Sequence, residues 1–184
     1  MSDARHETPG SLRTDALVVL FLIGLDVAAR LLPHTPNFMP LTASALFAGM
    51  IVSRRSLALA VPLGAMLLSD FIIGFDDWRI AILDYAALTL PVGIGMLGRG
   101  YRWPRVLVPA SLASSLLFFA VSNFAVWAFG GLYTHDVAGL VKSYVLALPF
   151  LQHTVAGDLA WVAVLFGGAF VVQRLTIRSR AATA

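Results

Sequence analysis

Hydrophobic residues run through this chain in long blocks, and short polar stretches divide them into six segments. The segments are Asp15–Leu32, about Leu41–Val52, Leu57–Phe75, about Ile80–Leu97, about Val106–Phe129 and about Tyr144–Val172. Blocks of roughly 20 apolar residues are the length an α-helix needs to cross a hydrocarbon core about 30 Å thick. The pattern therefore predicts an all-α integral membrane protein, a bundle of six transmembrane helices. The second block is the exception, because about twelve residues rise only about 18 Å. The preceding Pro33–Pro40 is expected to dip in with it as ordered non-helical backbone, which membrane depth tolerates only under cover of protein or of a water-filled cavity. The last block is long and is expected to tilt, or to bend at Pro149.

Composition supports this reading. Of 184 residues, 59% are hydrophobic and 12% charged, and the mean hydropathy is +0.83. These values lie far from those of a soluble domain. The domain plan is a polar segment 1–14, a membrane domain 15–172 and a basic tail 173–184. No cleavable signal is evident in the polar start, so the first block is expected to be retained as a helix. With no cysteine, the chain offers no disulfide, thiolate metal site or cysteine nucleophile.

Charge gives the segments a direction. Arg5, Arg13, Arg54, Arg55, Arg99, Arg102, Arg105, Arg174, Arg178 and Arg180 fall on one side, and Arg30, Arg79 and Lys142 on the other. The excess of arginine marks the cytoplasmic side. Both termini are then cytoplasmic, as an even number of spans requires, and in a bacterium with an inner membrane the opposite side is the periplasm or exterior. The acids in or beside the blocks are expected to cluster toward that outer side: Asp26, Asp70, Asp76, Asp77, Asp84, Asp136 and Asp158. His34, His135 and His153 go with them. An intramembrane charge costs about 2.5–3.5 kcal/mol on insertion scales, so a one-sided set suggests a polar cavity open outward.

The candidate lining is His34, Asn37 and Phe38 from the proline-rich stretch, Asp70 near the end of the third block, and Asp84 and Tyr85 in the fourth. Asn123 and Trp127 join from the fifth, and His153 and Asp158 from the sixth. Asp26 and Arg30, four apart with the acid first, have the spacing of a helical ion pair. Asp70 has no basic residue within a helical turn, which makes it the deepest candidate for ligand contact on the third helix. Asp77 and Asp84, like Trp78 and Tyr85, are two turns apart and form adjoining stripes, with Trp78 suited to an interfacial anchor. Ser44 with Ala48, Ala45 with Gly49, Ala60 with Gly64, and Ala110 with Ser114 are small-residue spacings that let helices approach closely. They serve packing within the bundle or, alternatively, a partner subunit.

Catalytic signatures are missing. Gly93-Ile-Gly95-Met-Leu-Gly98 fits a dinucleotide fingerprint by letter but ends an apolar helix instead of following a strand, so it reads as packing or helix termination. There is no H-E-x-x-H, no G-x-S-x-G and no phosphate-binding loop for ATP hydrolysis. His34, His135 and His153 with the aspartates supply donor types for a divalent metal, without a ligand spacing.

Six short helices in under 200 residues, both termini inside and an outward polar pocket resemble the substrate-binding S-components of energy-coupling factor vitamin transporters. Pro33-His34-Thr35-Pro36-Asn37-Phe38, Ser69-Asp70-Phe71-Ile72-Ile73-Gly74-Phe75 and Tyr85 are similar to the Gram-negative proteins related to the solitary cobalamin-uptake S-component. The resemblance covers about residues 15–172. It implies capture of a vitamin- or cofactor-like solute on the outer face, without catalysis and without a resident cofactor. The implied partners are the solute, the lipid bilayer and, where one is used, a membrane coupling subunit with its ATPase; no nucleic acid is expected. The cysteine that ligates cobalt in the cobalamin type has no counterpart here, where Trp78-Arg79-Ile80-Ala81-Ile82-Leu83-Asp84 precedes Tyr85. An imidazole of His34 or His153 would have to replace it for a corrinoid. The alternatives from other classes are a membrane-embedded, metal-assisted enzyme using the Asp/His set, and a structural subunit of a membrane complex.

Overall fold

The protein is described by a computed structural model that covers residues 12–33, 36–75, 77–101 and 103–182. Six helices follow one another: α1 (Leu12–Leu31), α2 (Leu41–Ile51), α3 (Arg55–Ile73), α4 (Trp78–Leu97), α5 (Trp103–Phe129) and α6 (Val137–Ala182). Four of them, α3 to α6, are long and apolar enough to cross a membrane. α1 is long enough but carries Arg13, Asp15, Asp26 and Arg30, and α2 is short. His34, Asp76, Arg102 and the stretch 1–11 lie outside the described residues.

The short helix is the centre of the bundle. Residues 41–50 of α2 are buried on every face, and α2 packs against all five other helices. α1, α3, α4, α5 and α6 follow one another around it. Among the described residues α1 and α6 have no close backbone approach to each other, and α2 lies against both. A helix that is apolar all round belongs in a core, which resolves the length problem: α2 is wrapped by protein and has no lipid face to match. Phe47 of α2 and Phe166 of α6 meet edge to face at 4.8 Å between ring centroids.

Backbone proximity sets the α2–α4 crossing. A Cβ on Gly49 would lie 2.2 Å from the Val92 carbonyl oxygen, and one on Gly95 would lie 2.3 Å from that of Leu46. These two glycines let the helices touch backbone to backbone. The small-residue spacing at Ala45 and Gly49 and the central glycine of the G-x-G-x-x-G match thus both serve packing within the chain. Gly98 ends α4 as its C-cap.

The outer surface is apolar. Leu17, Phe71, Leu97 and Val164, from four different helices, are each at least 60% exposed. The buried set includes Asp26, Ser44, Ser69, Asp70, Ser114, Ser115 and Asp158. Large apolar side chains facing out and polar ones facing in is the arrangement of a helical bundle embedded in a membrane. Two of the interior serines return their hydroxyl to a carbonyl one turn back: Ser69 to Ala65 and Ser114 to Ala110.

The two ends of the bundle differ in chemistry. At one end Arg99 caps α2, with Nε donating to the Gly49 carbonyl at 2.7 Å and Nη2 to that of Val52 at 2.6 Å. These are carbonyls that a helix C-terminus leaves without partners. Asp15 sits at this arginine-rich end, 4% exposed, where its Oδ1 accepts the Ser53 N–H at 3.2 Å. This corrects the expectation that every acid in or beside an apolar block lies toward the other side. Asp15 belongs to the first turn of α1, where an acid favours the helix dipole, and it ties the start of α1 to the end of α2.

α6 also differs from expectation. It is one continuous helix of 46 residues that runs through Pro149, several turns longer than the apolar block. Asp136 starts it, its Oδ1 accepting the Gly139 N–H at 2.7 Å and the Thr134 hydroxyl at 2.9 Å. These bonds hold the Asp136 carboxyl below its usual range. Good helix formers after Val172 prolong the other end.

Candidate functional site

At the end opposite Arg99 the bundle opens into a cavity of about 420 Å³. Its wall is built where α1 and α3 end and α4 begins, and it is closed by the 36–40 loop and by the inner faces of α5 and α6. The loop is a structural part of it. A Cβ on Gly157, far along α6, would meet the Phe38 Cα at 3.0 Å and the Asn37 carbonyl oxygen at 3.4 Å. Gly157 is thirteen residues past Tyr144, on the order of 20 Å along the helix. The loop thus reaches the depth of the bundle's middle as ordered non-helical backbone, with Pro36, Asn37 and Phe38 exposed and Pro40 buried. Asn37 holds a φ of 60°, a left-handed conformation that asparagine tolerates better than most residues.

One wall is a polar triad. Arg30 Nη2 and Asp70 Oδ1 are 2.5 Å apart, and the Tyr85 hydroxyl donates to Asp70 Oδ2 at 2.6 Å. Arg30 Nη1 also contacts the Met66 sulfur. The guanidinium from α1, the carboxylate from α3 and the phenol from α4 thereby lock three helices together around one charge pair. This corrects the ion pair expected within α1. Asp26 is fully buried and instead takes the Ser44 hydroxyl at 2.8 Å. It faces α2, whereas Arg30, one turn nearer the open end, reaches across to α3. Asp70 accordingly has a basic partner, supplied by another helix.

Asp158 lies deeper. It is 2% exposed, and its Oδ2 accepts the Ser115 hydroxyl at 2.6 Å, with the Thr42 hydroxyl as a second donor. No ion pair to Asp158 exists among the described residues. Asp84, Tyr85, Thr154 and Asn37 complete the polar lining, while Met39, Leu41, Ile73, Leu88 and Phe118 supply apolar surface. An adjoining cavity of about 220 Å³ shares Asn37, Phe118 and Thr154 and adds Asn123, whose amide donates to the Phe119 carbonyl at 2.8 Å.

Of the residues singled out from sequence, Asn37, Asp70, Asp84, Tyr85 and Asp158 line the main cavity, and Asn123 lines its annex. Three others take different places. His153 is exposed on α6. It is about 100° around the helix from Thr154 and about 140° from Asp158, so the face that carries those two turns it away. Trp127 donates its indole N–H to the Thr134 carbonyl at 3.0 Å and packs on Phe124 and His135, which fastens the α5–α6 turn. Phe38 packs on Gly157 with 37% of its surface exposed. His34 lies outside the described residues. Sequence reasoning missed Arg30 as a wall residue, along with Thr42, Phe118 and Thr154. The hydroxyls were legible only as polar breaks in apolar blocks.

Asp77 and Trp78 stand apart from Asp84 and Tyr85. Asp77 caps α4, accepting the Arg79 N–H at 2.9 Å and pairing with the Arg79 guanidinium at 2.7 Å. These contacts pull its carboxyl down to about 2. Trp78 is exposed, as suits an interfacial anchor. No group of three or more His, Asp or Glu placed to hold a metal ion occurs among the described residues.

Residues 11–180 match the model of DUF6580, a family of unknown function, and the chain belongs to that family. No curated protein and no solved structure matches it.

Proposed function

We propose that this protein is a solute-binding component of a membrane transport system. In this reading it captures a small vitamin- or cofactor-like molecule in the Arg30–Asp70–Tyr85 cavity and passes it inward. The observation that carries the reading is the cavity itself. It lies at one end of an apolar bundle, is lined by polar groups from five helices and the 36–40 loop, and at about 420 Å³ falls within the range of small-molecule sites, roughly 300–1,000 Å³. A cavity of this size encloses a one- or two-ring solute and admits only part of a corrinoid. Polar side chains fixed by one another on rigid helices suit binding, because little ordering remains to be done when the solute arrives.

The finer elements of the reading follow the charge distribution. All six helices cross a bacterial inner membrane, α1 and α2 in the company of the rest, with both termini cytoplasmic and the cavity facing outward. A membrane coupling subunit with its ATPase is the partner that the resemblance to energy-coupling factor S-components implies. The protein acts by binding, without catalysis. The metal-assisted alternative has no ligand group among the described residues to support it. The structural-subunit alternative draws on the self-satisfied Arg30–Asp70 pair but leaves the open volume beside that pair unexplained.

Mass spectrometry of small molecules retained after gentle purification tests this reading. A defined solute, present with the native chain and lost when Ala81→Trp fills the cavity wall, is the expected result. Retention of nothing but lipid by both proteins would refute it.

A further inference from the structure

The annex of about 220 Å³ beside the main cavity is smaller than a self-sufficient small-molecule site, roughly 300–1,000 Å³. Asn37, Phe118 and Thr154 line both spaces, so the two adjoin across these three side chains. The main cavity carries the charged groups, with Arg30 paired to Asp70 at 2.5 Å. The described lining of the annex includes no charged side chain. An ion entering it would lose water without gaining an opposite charge, a cost that an uncharged group does not meet.

The annex offers aromatic surface and hydrogen-bond acceptors. Phe118, Phe119 and Phe150 line it, and the Phe119 ring is held against Tyr144 at 5.7 Å between centroids. A ring packed edge to face or offset against such a wall gains more than the area it buries. Asn123 donates its amide N–H to the Phe119 carbonyl at 2.8 Å, which fixes the side chain and leaves its Oδ1 as an acceptor. Thr154 gives its hydroxyl proton to the Phe150 carbonyl at 3.0 Å, so its oxygen too meets a solute as an acceptor. A group that fits this lining is an uncharged ring that brings its own donor.

We infer that the annex is a second subsite of the solute cavity and takes an uncharged aromatic or heteroaromatic ring carrying an N–H or O–H donor. The ring packs against Phe118 and Phe119 and gives its donor to Asn123, while the rest of the solute passes Asn37 and Thr154 into the main cavity. The solute is thus a two-part molecule. This rests on the main cavity being a solute site, as proposed above, and adds the chemistry of one half of its occupant.

The experiment uses the full-length chain in lipid nanodiscs. Ser122→Cys places a single thiol in the annex wall, because the chain has no cysteine of its own. Its rate of labelling by N-ethylmaleimide is measured alone and with benzamide, benzoate or benzylammonium, which share one ring and differ in charge. Benzamide is expected to slow the labelling and the two ions are not. Asn123→Leu in the same background is expected to raise the benzamide concentration needed by about twofold to tenfold. In parallel, mass spectrometry of retained solute compares the native chain with Ala147→Trp, which fills the annex from α6. The solute is expected to carry such a ring and to be lost from this variant. Should Ala147→Trp melt well below the native chain, the labelling result decides alone. Equal slowing by the ions, no slowing by benzamide, or protection unchanged by Asn123→Leu overturns the inference. So does a solute that a stably folded Ala147→Trp keeps at the native level. Each of these leaves the solute-binding reading standing, provided that Ala81→Trp empties the protein. If the native chain retains no solute, the solute-binding reading fails and the inference fails with it.

Discussion

Arg30 and Asp70 stand 40 residues apart in the chain and meet with Nη2 and Oδ1 2.5 Å from each other. The side chains are 18% and 10% exposed, so the contact is largely shielded from water. It joins the end of α1 to the end of α3 and forms one wall of the cavity. Removing one partner leaves a desolvated charge, whereas neutralising both does not. Asp70→Asn and Arg30→Gln are each expected to lower stability by about 1.5–3 kcal/mol. The double variant is expected to fall well short of the sum, giving a coupling energy within the roughly 0.5–3 kcal/mol of contacting residues. Thermal denaturation of the four proteins under one condition checks this, and additive losses would show that the pair does not form.

The α2–α4 crossing yields a contrast among three glycines. Gly49→Ala and Gly95→Ala place a methyl group within 2.3 Å of a carbonyl oxygen on the facing helix. Overpacking of this kind costs about 1–3 kcal/mol or more. A methyl group on Gly93 would meet nothing within 4 Å, and alanine is the better helix former by up to about 1 kcal/mol. Gly93→Ala is therefore expected to be neutral or stabilising, while the other two lower the melting temperature. Equal effects at all three positions would remove the close crossing.

Much of this architecture was legible in the order of apolar and polar residues. α2 starts at Leu41 and α4 ends at Leu97, as the blocks predict, and the remaining helix ends fall within a few residues, apart from both ends of α6. The shortness of the second block marked it as needing cover, and the structure supplies that cover by wrapping it. What hydropathy could not carry is the choice of partner. The Asp26–Arg30 spacing obeys a local helical rule, but Asp26 points to Ser44 on the central helix, and a long arginine side chain can satisfy a carboxylate on a different helix. The two ends of α6 were invisible for a related reason. A cap at Asp136 and polar helix formers after Val172 extend a helix without extending an apolar block. In the site, depth along each segment was readable and rotation was not. Asp158 and His153 share a depth, yet only Asp158 faces inward.

The cap at Asp136 has a definite pH dependence. Its folded-state carboxyl titrates below the ordinary value of about 3.9, through the Gly139 N–H and the Thr134 hydroxyl. The stabilisation is thus fully present above the ordinary range and is lost as pH falls through the lowered value. Protection of the Gly139 amide from hydrogen exchange, corrected for intrinsic rates, should be flat from pH 7 to about pH 5 and should fall below about pH 4. Asp136→Ala should abolish the protection at every pH. A decline already between pH 7 and about pH 5 would assign the effect to another group.

Direction in the membrane is open to test because the chain contains no cysteine, so any single introduced thiol reports alone. Ser56→Cys lies at the arginine-rich end and Leu132→Cys at the cavity end, both at exposed positions. In intact cells, a membrane-impermeant thiol reagent is expected to label position 132 and to reach position 56 only after permeabilisation. The reverse pattern would invert the topology.

The central claim is that a solute site, buried in the bundle, is open to the outside. Thr154 is 9% exposed and lines both the main cavity and its annex, so a thiol there is reachable only through the cavity. The decisive measurement is the rate at which a small impermeant methanethiosulfonate labels Thr154→Cys in intact cells, with and without the solute that co-purifies with the native chain. The expected result is labelling from outside that the solute slows. Labelling only after permeabilisation, or at a rate the solute leaves unchanged, would contradict an outward-facing binding cavity.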